Sequence, residues 1–238
     1  MNIQKTSNGV EIIPAILPSS YRDLEDKLMR VRGLTRSVQI DICDGFFVPS
    51  KTFPYTNSAD KEQFAQILAE EETLPYWEEF DFELDLMVNE SKKTSEEWVR
   101  AGASRIIIHI ESPDDRGALE ALQPLRDTYA TAVDVELAIS LDTPIEKLES
   151  LAHFGSTIQC MGIVKIGMQG QPLDERIFVR VKEIKRLYPE HTVSVDGGVT
   201  IENAHRLVDA GATRLVAGSA LFQGDIEQNF DAFNTTTS

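Results

Sequence analysis

Along the whole chain, short apolar and β-branched runs alternate with longer stretches whose apolar residues recur every three or four positions, the pattern of strands each followed by an amphipathic helix. The runs fall at 13–17, 38–43, 82–88, 105–110, 135–141, 158–166, 192–195 and 214–217, near-regular in spacing apart from one longer step between the second and third. Eight βα units predict an α/β protein built as a single (β/α)8 barrel, a TIM barrel, spanning residues 1–238 with a frayed tail at 234–238. No linker or shift of composition divides it.

The helical stretches carry their own punctuation. Thr143-Pro144-Ile145-Glu146 and Thr94-Ser95-Glu96-Glu97 read as capping boxes, and Thr200 reads as the cap of a helix through Ile201, Leu207 and Val208. Gly33, Gly102 and Gly211 stand where helices should end in a left-handed residue. Trp77 and Trp98 read as helix-packing residues. Residues 44–57, with Gly45, Pro49 and Pro54, hold too many breakers for a helix, and Phe46, Phe47 and Phe53 within them suit either a cover over a site or a subunit contact.

Composition narrows the class. With 23 basic and 39 acidic residues the formal charge is −16, which repels nucleic acid over the surface as a whole, so any anion must be bound locally. The 42% apolar content is that of a globular protein, and no run approaches the roughly 18 consecutive apolar residues of a membrane span. These features predict a cytoplasmic protein with no membrane or nucleic-acid partner. Cys43 and Cys160, each inside a strand-like run, predict buried reduced thiols.

In such a barrel the chemistry lies at the carboxyl ends of the strands. Period-two alternation puts Gln39, Asp41 and Cys43 on one face of the second strand and Asp85 and Met87 on one face of the third, while the seventh ends in Ser194-Val195-Asp196-Gly197-Gly198. Asp41, Asp85 and Asp196 therefore sit at one level of three strands. Like charges gathered in a barrel mouth require either a cation or a shared proton. Glycines cluster after the last three strands, at Gly167-Met168-Gln169-Gly170, Gly197-Gly198 and Gly218-Ser219. Flexible backbone and free amides there suit a phosphate despite the net acidity.

Four segments in order, Asp41-Ile42-Cys43-Asp44-Gly45-Phe46-Phe47-Val48-Pro49, Asp85-Leu86-Met87-Val88, Val195-Asp196-Gly197-Gly198-Val199 and Val216-Ala217-Gly218-Ser219-Ala220-Leu221-Phe222, resemble ribulose-phosphate 3-epimerase, and the likeness runs from Ile13 to Phe222. The resemblance implies interconversion of D-ribulose 5-phosphate and D-xylulose 5-phosphate, with Asp41 and Asp196 as acid and base on opposite faces of the sugar. It implies phosphate contacts from Gly167, Met168, Gln169, Gly170, Gly197, Gly198, Gly218 and Ser219, and assembly as a homo-oligomer. Met87, on the same face as Asp85, reads as packing either beneath the sugar or in the core.

The resemblance also implies a divalent metal, but the family's two metal-binding histidines are matched here by Gln39 and Asp85. A set of Gln39, Asp41, Asp85 and Asp196 is all oxygen, which favours magnesium or manganese over zinc; a metal-free site is the alternative. Pro18, Cys43 and Lys165 stand where the resemblance leads one to expect serine, methionine and asparagine. Two other readings stay open: an aldol or lyase reaction through a Schiff base on Lys165, and a sugar-phosphate binder without catalysis. His109, beside Glu111, reads as a ligand, a substrate contact or a satisfied polar residue, and His153, His191 and His205 as ordinary surface histidines.

Overall fold

The computed structural model describes residues 9–128 and 133–237. Eight parallel strands, β1 (Glu11–Ile16), β2 (Ser37–Cys43), β3 (Asp81–Met87), β4 (Arg105–His109), β5 (Asp134–Ile139), β6 (Thr157–Met161), β7 (Thr192–Asp196) and β8 (Arg214–Ala217), pair in chain order and close into a barrel. Around them lie α1 (Tyr21–Val31), α2 (Ser58–Leu68), α3 (Ser91–Arg100), α4 (Asp115–Thr128), α5 (Arg176–Leu187), α6 (Ile201–Ala210), the short α7 (Ser219–Phe222) and α8 (Ile226–Thr236). Both faces of the strands are covered, one by helices and one by the barrel interior, so every residue of β2 is buried. The helix-side face of that strand, Ile40 and Ile42, joins the main apolar core, whereas Cys43 joins a small cluster with Val48 and Met87.

Local chemistry explains most element boundaries. Ser20 caps α1 by accepting the Asp23 N–H at 3.1 Å, and Leu24, Leu28 and Val31 form its buried stripe. Asn203 Oδ1 accepts the Thr200 N–H at 2.9 Å in the capping box of α6, which Gly211 ends with φ +114°. Gly33 and Gly102 also have positive φ, as their helix-ending positions predict.

Several boundaries differ from expectation. Helix α3 starts at Ser91, so Thr94 and Ser95 lie buried within it rather than capping it. After β5 the chain makes only 3-10 turns, at Ile145–Ser150 and Ala152–Phe154, and Pro144 rather than the Thr143 hydroxyl precedes the first. β6 ends at Met161, five residues short of the apolar run's end at Ile166. The tail expected to fray from Asn234 is helical through Thr236, and the buried Thr237 hydroxyl donates to the Phe233 carbonyl at 2.8 Å; Ser238 lies outside the described residues.

The long segment 44–57 is anchored by Phe53, which is fully buried beside Phe64 and Trp98, with ring centroids 5.9 and 6.2 Å away; it is a core residue and covers no site. Trp98 packs in the core as expected, but Trp77 is 57% exposed. Near the amino ends of the strands, Arg214 and Arg105 reach Glu83 at 2.6 and 2.9 Å and Glu136 at 3.4 and 3.6 Å, forming a buried ionic floor. Both cysteines are buried free thiols. Among the described residues no helix is long and apolar enough to cross a membrane.

Candidate active site

Above that floor the interior polar residues converge at the carboxyl end. Register places Asp41 of β2 beside Asp85 of β3, while Asp196 closes β7 beside Met161 of β6. One ligand oxygen from each of the three acids lies within 4.8 Å of the others, and all three are buried. Gln39 links two of them: its Nε2 donates to Asp41 Oδ1 at 2.9 Å and to Asp196 Oδ2 at 2.8 Å. Gln159 of β6 approaches the same Asp196 oxygen at 3.5 Å, while its own Oε1 accepts the Ser194 hydroxyl at 3.1 Å.

Asp85 is paired differently. His109, at the end of β4 and fully buried, brings Nε2 to 2.8 Å from Asp85 Oδ1, and its Nδ1 lies 3.8 Å from Glu111 Oε2. Burial by itself would discharge the imidazole, but the Asp85 and Glu111 carboxylates raise its pKa to about 10, so it is an imidazolium at neutral pH. Glu111, in turn, accepts the Ser140 N–H at 2.9 Å, and its pKa is lowered because hydrogen bonding and the charge of His109 outweigh its burial. Of the readings open for His109, its bond to Asp85 and its place outside the cleft lining fit the partnered polar residue, with the added finding that the partner is an acid of the site. The ring of Phe47 lies over it at 5.4 Å.

The two remaining acids are held away from ordinary carboxylate behaviour. Burial, followed by the charges of Asp196 and Asp85, raises Asp41 well above the usual range, and the Gln39 hydrogen bond only partly offsets this. Burial and the charge of Asp85 push Asp196 up to about 7. Such closely spaced carboxyls titrate as a pair, and near neutrality the pair retains a proton.

A cleft opens over these groups. Asp41, Asp196 and Met87 line it together with Gly167, Met168, Gln169, Gly170, Gly197, Gly198, Gly218 and Ser219. Gln39 and Asp85 do not line it; they bond or neighbour its acids from beneath. Gly198, at φ +71°, shows why this cradle needs glycine: a Cβ there would stand 2.6 Å from the Leu173 nitrogen. Asn203 Nδ2 donates to the Gly198 carbonyl at 2.9 Å and ties the turn to α6. Gln169 spans the mouth, its Nε2 donating to the Ala15 carbonyl at 3.1 Å.

Three expected participants lie elsewhere. Lys165 is exposed on the loop after β6 and is not part of the cleft lining, so the desolvated lysine that a Schiff-base mechanism requires is not present at that position. Pro18 offers only its carbonyl, to the Phe53 N–H at 2.9 Å; the strand-one residue facing the cleft is Ala15. Phe46 is 80% exposed, so only Phe47 of the loop aromatics covers polar groups of the site. Gln159, which the sequence reading does not single out, and Ser194 both face the interior, where alternation from Met161 and Asp196 puts them.

Whether these residues suit a divalent cation can be judged from their atoms. The three acids offer hard oxygen donors, and Asp85 Oδ2 is buried with no hydrogen-bond partner, so an oxygen-seeking cation fits the set.

Comparison with solved structures supports the fold. The chain superposes on a 3-hexulose-6-phosphate synthase from Salmonella typhimurium with a TM-score of 0.69 at 10% identity, covering 95% of this chain and 97% of that one. It superposes on a 3-keto-L-gulonate-6-phosphate decarboxylase from Vibrio cholerae with a TM-score of 0.64 at 12% identity, covering 96% of each. By sequence it is 26% identical over 220 residues to a ribulose-phosphate 3-epimerase of Treponema pallidum, covering 90% of this chain and 92% of that protein. A ribulose-phosphate 3-epimerase of Eremothecium gossypii is 28% identical over 213 residues, covering 89% and 85%. Because the model of the ribulose-phosphate 3 epimerase family matches residues 11–222, nearly the entire barrel, the chain belongs to that family.

Proposed function

We propose that the protein interconverts D-ribulose 5-phosphate and D-xylulose 5-phosphate, with Asp41 and Asp196 moving the proton at the inverted carbon. The observation that carries this reading is that the two carboxyls line one cleft and share the Gln39 amide, and burial raises the pKa of both, which favours a proton held between them. The carbon next to the ketone loses its proton to whichever carboxylate is ionised on that face. The resulting enediolate recovers a proton from the other carboxyl on the opposite face, which inverts the centre. A base and an acid are both required, and a pair holding one proton supplies both.

Met87 and Ala15 provide apolar walls, and the glycine segments 167–170, 197–198 and 218–219 offer main-chain amides to the phosphate. This explains how so acidic a chain can hold an anion. A divalent cation bound by Asp41, Asp85 and Asp196, when present, supplies positive charge to the developing enediolate oxygens. The His109 imidazolium compensates Asp85 from within the protein.

Incubating the protein with D-ribulose 5-phosphate in deuterium oxide, with and without magnesium or manganese, tests the reading. D-Xylulose 5-phosphate carrying deuterium at the inverted carbon is the expected product. Neither conversion nor exchange under any of these conditions would overturn it.

A further inference from the structure

We infer that Gln39 is a donor clamp on the acid–base pair and not a metal ligand: one amide nitrogen holds Asp41 and Asp196 together, and it competes with a cation for their oxygens. The inference rests on the proposed roles of those two aspartates and extends them to the residue beneath.

The geometry fixes which end of the amide does the work. A primary amide nitrogen carries two hydrogens, and here each has an acceptor, Asp41 Oδ1 at 2.9 Å and Asp196 Oδ2 at 2.8 Å. The reverse orientation would turn the lone pairs of Oε1 toward two oxygens of a pair that shares a single proton, so at least one of the two contacts would be repulsive, whereas the NH2 group donates to both. Orientation therefore follows from charge. Its cost is visible, because Gln39 Oε1 is buried without a hydrogen-bond partner. Two bonds to the pair, one of them to its ionised member, outweigh one unpaired carbonyl, since a hydrogen bond to a charged group is stronger than a neutral one.

Clamp and ligand are mutually exclusive states of the same side chain. To offer Oε1 to a cation near the three acids, the amide must turn over, and both bonds are lost. The neighbours reinforce the clamp. Gln159 Nε2 approaches Asp196 Oδ2 at 3.5 Å from the other side, and His109 occupies Asp85 Oδ1 at 2.8 Å. Each of the three acids thus meets a donor of this chain at one oxygen, and the donors of Asp41 and Asp196 converge on Gln39. A donor that holds the pair with partial positive charge lowers the affinity of those oxygens for a cation.

The sign of one measurement separates the two roles. Binding of manganese to the full chain is followed by electron paramagnetic resonance of the free ion, for the wild type, Gln39→Met and Gln39→Leu. A clamp predicts that both variants bind manganese more tightly, by about threefold or more, because a competing donor is gone. Affinity that is unchanged or weaker in the variants would overturn the inference, since loss of a ligand can only weaken binding. Should the variants fail to fold, the wild type decides. Nitrogen-15 NMR of the metal-free protein should show the Gln39 side-chain amide protected from exchange with solvent, and an amide exchanging freely would sink the idea. Neither readout uses turnover, so failure here is distinguishable from failure of the proposed reaction. In the variants kcat should fall with KM changed by less than about threefold, because the clamp positions the proton-transfer groups and does not touch the phosphate.

Discussion

His109 Nε2 stands 2.8 Å from Asp85 Oδ1, with both side chains fully buried. An acid and a base from adjacent strands thus cancel each other beneath the two carboxyls proposed to move protons. The imidazolium supplies the positive charge that offsets Asp85 beneath that pair. The pair belongs to this chain's particular arrangement, in which an aspartate stands at the β3 position the family resemblance assigns to a histidine.

Removing one partner should be far worse than removing both. His109→Leu strands Asp85 as an unpaired buried charge and should cost about 3–5 kcal/mol of unfolding free energy, the usual loss for a broken buried pair. The double change His109→Leu with Asp85→Leu should recover much of that loss. Urea denaturation of the four proteins in the cycle measures it. A His109→Leu single variant as stable as the wild type would show that the pair contributes nothing.

Asp41→Asn and Asp196→Asn should each lower epimerisation by about 10²–10⁴-fold, the range of a lost general acid or base. The two should differ in what they retain. Each variant keeps a base on one face only, so Asp41→Asn should still exchange the proton of one epimer with deuterium oxide, and Asp196→Asn that of the other. NMR of the residual substrate reads this directly. Identical exchange patterns would refute the two-face assignment.

Stability should fall as the solution is made more alkaline. Asp196 keeps its proton up to about pH 7 in the fold but releases it near its ordinary 3.8 when unfolded. Its contribution is therefore complete at low pH and is lost as the pH rises through 7. Asp41 shifts in the same direction, and so does His109, whose contribution, complete below 6.5, is lost as the pH rises through about 10. Glu111, lowered by its neighbours, has the opposite sense and acts only in the acid range. The Tm should accordingly be higher at pH 5.5 than at pH 8, about the range these shifts define, and added manganese should raise it more at the higher pH by stabilising the ionised acids. Scanning fluorimetry across pH, with and without the ion, gives the answer. A Tm rising from pH 5.5 to 8 in the metal-free protein would contradict the burial of this cluster.

Gly198→Ala addresses the anion cradle. Its φ of +71° disfavours a side chain, and the new Cβ would meet Leu173 backbone atoms at 2.6 and 2.7 Å, so the loop must shift. The expected result is a KM for the sugar phosphate raised at least about tenfold, with a smaller change in kcat, because uniform binding is what the cradle supplies. Steady-state kinetics checks it. A KM equal to that of the wild type would place the phosphate elsewhere.

Much of this protein is legible along the chain because the relevant signals are local. Alternation alone puts Gln39, Asp41 and Cys43 on one face of β2, since successive strand residues point to opposite sides. Gly211 ends α6, and Asn203 and Thr200 begin it, through contacts no more than a turn apart. The glycine clusters mark the cradle because only glycine suits the positive φ at Gly197 and Gly198. The rest depended on contacts between distant segments. Lys165 looked like a strand-end lysine only because an apolar run continues past Met161, whereas hydrogen bonding to neighbouring strands ends there. Phe53 could be assigned to the core, and Trp77 to the surface, only once the partners of each were in place. Above all, Gln39 reaches Asp196 across 157 positions, and His109 reaches Asp85 across 24. Residue types and strand periodicity select which side chains enter the barrel; closure of the sheet decides which of them touch, and therefore which acid carries a proton.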